Sequence, residues 1–165
     1  MLDVNTEPQK KSKESSDNML AEELRTVVEG DIDTSEASRD LYSHDASMFE
    51  LKPQVIVAPK NAHDLEKLVK YVADNKSKHP TLSITARSAG TDMSGAAIND
   101  SIIVDFMKHF TSIKEITSSS ANVEPGVYYR DFEKETLKHN ALMPTYPASR
   151  DLCAIGGMVN NNSGG

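Results

Sequence analysis

The sequence predicts an α+β domain, and three observations carry that prediction. Short β-branched runs alternate with helical-period segments in the order strand, helix, strand, loop, strand, hairpin, helix. The length, 165 residues, suits one domain. Two segments of small residues, Arg87 to Gly95 and Pro147 to Gly165, each follow an apolar stretch.

Taken in order, residues 1–15 are rich in Lys, Glu, Ser and Thr and read as a disordered arm. A helix is expected to start at Ser16 or Asp17, with Met19, Leu20, Leu24, Val27 and Val28 at helical spacing and Gly30 as its C-cap. Thr34 to Leu41 reads as a second short helix capped by Thr34 or Ser35, so that 16–45 forms an N-terminal helical segment ahead of a domain over 46–165. Val55 to Val57 is a strand closed by Pro59. Asn61 caps the next helix, with Asp64 at the position of a capping-box acid. Leu65, Leu68, Val69, Val72 and Ala73 form the apolar stripe of that helix. Leu82 to Thr85 is a strand running into the first small-residue loop, and Ile102 to Val104 is another. Ile113 to Ile116 and Ala121 to Glu124 pair around a Thr-Ser-Ser-Ser turn. Tyr129 to His139 is helical, with Phe132 and Leu137 facing inward.

Composition narrows the function. The net charge of -7 and the lack of a clustered basic face argue against a nucleic-acid partner. A single cysteine, Cys153, excludes an internal disulfide and a CxxC metal site, so no metal is expected. No apolar run approaches membrane-spanning length, and residues 1–18 lack the apolar core of a secretory signal. The expected location is cytoplasmic, with peripheral membrane attachment left open.

The two small-residue segments carry the chemistry. Successive N–H groups in a turn of Ser88, Ala89, Gly90 and Thr91 can form a nest for an anion, and small residues let it approach. Thr91 and Ser94 add hydroxyls, and Arg87 adds a charge that points either inward or outward. In the second segment Pro144 and Pro147 stiffen the approach, Gly156-Gly157 permits close contact, and Asn160 to Ser163 offer polar groups. Met158 and Val159 read as the start of a buried helical turn. Together the segments read as two walls of one pocket for a phosphate-bearing cofactor. No G-x-G-x-x-G lies between a strand and a helix, and no Walker A pattern is present. His44, His63, His79, His109 and His139 have no acidic partner set by spacing and read as structural or solvated.

Four ordered motifs resemble the FAD-binding domain of the vanillyl-alcohol oxidase and p-cresol methylhydroxylase (PCMH-type) superfamily. Pro53 to Pro59 resembles its opening strand. Arg87 to Gly95 resembles its R-G-G-G-T-x-x-S-G pyrophosphate loop, with Ser88 and Ala89 in place of glycines. Val123 to Val127 resembles its V-x-P-G-V turn, and Pro147 to Gly165 its P-x-S…T-I-G-G-x-x-x-x-N-x-G-G segment. The nearest branch resembles FAD-linked 2-hydroxy-acid oxidases and dehydrogenases, such as glycolate oxidase flavoprotein subunits and D-lactate dehydrogenases.

The resemblance implies a PCMH-type fold of which 46–165 is the first part only: a small βαβ-type subdomain and the start of a second α+β subdomain. It implies FAD, with Arg87, Ser88, Ala89, Gly90, Thr91 and Asp92 along the pyrophosphate and Ser94 just beyond. Pro147, Ser149, Gly156, Gly157, Asn160 and Ser163 would lie near the flavin, ribityl or phosphate portion. Attachment is expected to be non-covalent, because Thr91 stands where histidyl-linked branches carry a histidine and Cys153 reads as a packed core residue. The implied activity is hydride transfer from a small 2-hydroxy acid to flavin, with catalytic residues and electron acceptor unassigned, and with 1–165 alone inactive. Two alternatives stand beside it: a flavoenzyme like UDP-N-acetylenolpyruvoylglucosamine reductase, and a non-catalytic module of the same fold.

Overall fold

A computed structural model describes residues 18–164. Its centre is a four-stranded sheet ordered β1-β2-β4-β3: β1 Asp31–Asp33, β2 Val55–Ala58, β3 Ile84–Arg87 and β4 Ile102–Asp105. β2, β4 and β3 are parallel, and β1 runs antiparallel to β2. The two central strands, β2 and β4, are buried along their whole length, as strands covered on both faces must be. Val55, Val57, Ile102 and Val104 are the middle of the first core. Each such side chain contributes about 1.5–3 kcal/mol when fully buried.

Helix α1 (18–27 among the described residues) closes one side of that core through Ala21, Leu24 and the following Val28. Its expected start at Ser16 or Asp17 lies outside the described residues. Gly30 does not cap it: the helix ends at 27 and the chain bends at 29–30 into β1. A Cβ at Gly30 would lie 2.2 Å from the Ala58 carbonyl oxygen, so glycine is required there for close approach to the end of β2. β1 was not expected, because its Asp-Ile-Asp sequence shows a single apolar residue; backbone pairing to β2 makes the strand.

Helix α2, Glu36–Tyr42, is capped by Ser35, whose Oγ accepts from the Ser38 N–H at 3.4 Å. Helix α3, Ala62–Asn75, is capped by Asn61, which accepts from the Asp64 N–H at 3.0 Å. Asp64 does more than the expected capping box. Its buried carboxylate accepts from the N–H groups of Lys60 (3.0 Å) and Glu29 (2.9 Å), tying the α1–β1 bend to the start of α3. Burial pushes the Asp64 pKa up, but bonds from the backbone of Glu29, Lys60 and Gly30 outweigh it and hold the group below its ordinary value. The stripe of α3 is Leu65, Leu68, Tyr71 and Val72. Val69 is 53% exposed and Ala73 is exposed, contrary to the expected pattern, because the core lies one helical step to the side.

The second part begins with the hairpin β5 Ile113–Ile116 and β6 Ala121–Val123, followed by α4 Tyr129–Lys138 and α5 Ile155–Asn160. Its core joins Val127, Tyr129, Phe132, Cys153, Ile155 and Met158. Phe132 is buried as expected, but Thr136 takes the inner position assigned to Leu137, which is exposed. α5 starts at Ile155, and Val159 faces solvent while Met158 is buried. The architecture is the mixed α+β expected from sequence.

Candidate functional site

The first small-residue segment leaves the C-terminal end of β3, and the second leads into α5. They meet across a cavity of about 810 Å³. All the residues singled out from sequence line it: Arg87, Ser88, Ala89, Gly90, Thr91, Asp92 and Ser94 on one wall, and Pro147, Ser149, Gly156, Gly157, Asn160 and Ser163 on the other. Phe106, Pro125 and Ala154 line it too and were not singled out. Pro125 was visible only as a turn residue; its place between the walls depends on long-range packing.

The first wall presents bare backbone. The N–H groups of Ser88, Ala89, Gly90 and Thr91 donate to no other described residue, and Gly90 has a φ of +66°. Such a turn is a concave set of donors for an anion. The polar side chains of this wall, by contrast, are largely spent on the protein. Ser88 Oγ donates to the Pro125 carbonyl at 3.2 Å. Asp92 Oδ2 accepts from Ser94 N (2.8 Å), Ser94 Oγ (2.6 Å) and Ala96 N (3.0 Å). Bonds from Ser94 and the backbone of Ala96 hold the Asp92 carboxyl below its ordinary pKa. The Ser94 hydroxyl and the Asp92 carboxylate therefore also shape the loop. Arg87 also turns back into the protein: Nη1 donates to the carbonyls of Ala97 (3.2 Å) and Tyr42 (3.4 Å).

The second wall pairs two glycines with different roles. Gly156 N–H donates to the Pro125 carbonyl at 2.9 Å, and a Cβ there would lie 2.6 Å from Pro125 Cβ and 2.8 Å from Ser88 Oγ. Gly156 is where the walls and the Pro125 turn touch. A Cβ at Gly157 would meet nothing within 4 Å, so its bareness serves no packing within the protein. Arg150 stacks over Tyr146 at 4.7 Å and pairs with Glu133, fixing the approach to this wall. Cys153 is 2% exposed, and burial pushes its thiol pKa up, which makes it a packed residue with little thiolate.

Only Arg87 and Asp92 among the cavity-lining residues carry charge, so a bound anion would be held mainly by neutral dipoles. Three histidines do have acidic neighbours, contrary to expectation: His109 Nε2 lies 2.6 Å from Asp31 Oδ2, His63 3.4 Å from Glu66, and His44 3.6 Å from Glu50. None of the three lines the cavity. Among the described residues no cluster of metal-ligating side chains occurs.

Residues 53–165 match the family model described as FAD binding domain. D-2-hydroxyglutarate dehydrogenase of Haemophilus influenzae is 30% identical over 139 residues, 83% of this chain and 13% of that protein. Glycolate oxidase subunit GlcD of Bacillus subtilis is 29% identical over 137 residues, 81% of this chain and 28% of that protein. The chain thus spans a minor part of the length of these relatives. In three dimensions it resembles p-cresol methylhydroxylase, with a TM-score of 0.69 and 19% identity over 86% of this chain and 28% of that one, a likeness of fold.

Proposed function

The chain belongs to the FAD binding domain family, and on that basis we propose that the cavity between its two walls holds FAD without a covalent bond, in a protein that oxidises a small 2-hydroxy acid. The observation that carries the site is the pairing of unspent N–H groups at Ser88 to Thr91 with the open face of Gly157 across one cavity. A diphosphate suits the first wall, because fixed backbone dipoles stabilise an anion without a counter-charge and without reorganising. The flat, largely apolar part of the cofactor suits the second, where Gly157 adds no side chain. Ser149, Asn160 and Ser163 stand beside it as polar partners for the ribityl or phosphate portion.

When bound, FAD supplies the hydride acceptor at flavin N5. The residues of this chain orient it: the Asp92–Ser94–Ala96 bonds fix the turn, and Ser88–Pro125–Gly156 fixes the distance between the walls. Thr91 has no imidazole with which to form a flavin bond, and Cys153 is buried in the second core. The proposed substrate class is supported by the relatives, which are named for D-2-hydroxyglutarate and glycolate. Among the described residues no helix is long and apolar enough to cross a membrane, and we place the protein in the cytoplasm, with surface attachment to a membrane compatible with the same site.

The test is a titration of the natural protein with FAD, followed by anaerobic addition of D-2-hydroxyglutarate, glycolate and D-lactate. Quenched flavin fluorescence and a raised melting temperature are expected on binding, and bleaching of the flavin band by at least one acid. Absence of binding removes the cofactor assignment; binding without bleaching by any 2-hydroxy acid removes the substrate class.

A further inference from the structure

Arg87 was read from sequence as a charge along the pyrophosphate. Its side chain lines the cavity but is also bonded to the protein. The guanidinium packs against the loop at Gly90: a Cβ placed there would be 2.5 Å from Nη2 and 2.7 Å from Cζ. Its Cζ sits 5.1 Å from the centre of the Tyr42 ring, and Nη1 bonds the carbonyls of Ala97 and Tyr42. The guanidinium therefore contacts both the Tyr42 ring and the left-handed turn at Gly90. An arginine used this way is a strut, since its donors are directed at fixed carbonyls and its face at an aromatic ring.

Tyr42 belongs to a segment that holds the loop elsewhere as well. The Ala46 N–H donates to the Asp92 carbonyl at 2.9 Å. The Phe49 ring lies where a Cβ on Gly95 would approach within 3.0 Å. Three points of the loop, at Gly90, Asp92 and Gly95, are thus held by residues 42–49, all of which precede the stretch that matches the FAD binding domain family.

We propose that Arg87 is a positioning residue, latched to Tyr42, that fixes the loop at Gly90 so that the N–H groups of Ser88 to Thr91 converge, and that residues 42–49 are the clamp through which it acts. This rests on the reading of the cavity as the FAD site. Burial lowers the Arg87 pKa, and Tyr42, Asp45 and Asp105 oppose that shift only in part. The tyrosine is correspondingly hard to ionise: burial and the neighbouring Asp105 carboxylate push its pKa up.

The latch and a direct phosphate contact predict different behaviour in the natural full-length protein. FAD dissociation constants are measured as a function of ionic strength for wild type, Arg87→Gln, Arg87→Lys, Tyr42→Leu, Tyr42→Phe and the Arg87→Gln/Tyr42→Leu pair. The latch predicts that Arg87→Gln and Tyr42→Leu each weaken FAD about tenfold, and that the pair is no worse than the worse single change, because contacting residues are not additive. Arg87→Lys fails to restore affinity, since it keeps the charge and loses the fork. Tyr42→Phe keeps the stacked ring, loses only the hydroxyl that bonds Asp105, and stays within about threefold of wild type. The dependence on salt is the same for wild type and Arg87→Gln, because no screened contact with phosphate has been removed. A guanidinium on the phosphate instead gives a flatter salt dependence in Arg87→Gln, rescue by lysine and little effect of Tyr42→Leu; that pattern overturns the proposal. Additive losses in the pair overturn it too. Failure of wild type to bind FAD overturns the cofactor reading and this inference with it, whereas binding with either adverse pattern overturns the latch alone.

Discussion

Replacing each of the adjacent glycines by alanine separates packing from ligand approach. At Gly156 the added methyl would sit 2.6 Å from Pro125 Cβ, 2.8 Å from Ser88 Oγ and 3.0 Å from the Pro125 carbonyl, against 3.4–4 Å for ordinary contact. Two of those three atoms belong to a proline ring and a backbone carbonyl, which yield little. Overpacking of this kind costs about 1–3 kcal/mol. At Gly157 the methyl meets no protein atom within 4 Å, and alanine in a helix is favoured over glycine by about 0.5–1 kcal/mol. Gly156→Ala should therefore lower stability with and without FAD. Gly157→Ala should leave the FAD-free protein as stable as wild type or slightly more so, and weaken FAD at least about tenfold, roughly 1.4 kcal/mol. The assay is denaturant unfolding of each variant without cofactor, then titration with FAD followed by flavin fluorescence. Undiminished FAD binding by Gly157→Ala, and by the bulkier Gly157→Leu, would refute the placement of the second wall. An unaltered midpoint for Gly156→Ala would refute the contact between the walls.

Other consequences can be checked in the same preparations. Gly30→Ala drives a methyl into the Ala58 carbonyl, 2.2 Å away, and into Lys60 N at 2.9 Å; a loss of about 2 kcal/mol or more is expected by denaturant unfolding. The Asp64 carboxyl has a lowered pKa, so its contribution is present above the ordinary value of 3.8 and is lost as pH falls through the lower folded value. Asp64→Asn should cost about 1–3 kcal/mol at pH 7 and flatten the acid limb of stability against pH; an acid limb identical to wild type would be contrary evidence. Cys153 should resist thiol reagents at neutral pH in the folded protein and react on unfolding, because it is 2% exposed with its thiol pKa raised.

The parts of the fold legible in the sequence were those written in local pattern. β2 and β4 are β-branched runs, Asn61 and Ser35 are caps with their acceptors in place, and the two walls announce themselves because their function is carried by what their side chains lack. What escaped was set by distant partners. β1 is a strand because β2 offers it an edge, not because Asp-Ile-Asp prefers one. Gly30 looked like a cap because glycine commonly ends helices, yet its requirement comes from the Ala58 carbonyl across the sheet. Leu137 and Val69 sit at the correct period but on the wrong side of the angle that each core selects. Within the site, composition identified the lining residues, but not which polar groups are spent. Nothing local says that Asp92 turns onto Ser94 and Ala96, or that Arg87 packs between Gly90 and a tyrosine forty-five positions earlier.

The central claim is that FAD lies between the two walls with its diphosphate on the amides of the first. The most direct measurement is an experimental structure of the natural protein with FAD bound. Phosphate oxygens within hydrogen-bond distance of the N–H groups of Ser88 to Thr91, and cofactor atoms packed against Gly157, are the predicted result. A diphosphate held elsewhere, or a cofactor that leaves Gly157 bare, would contradict the account.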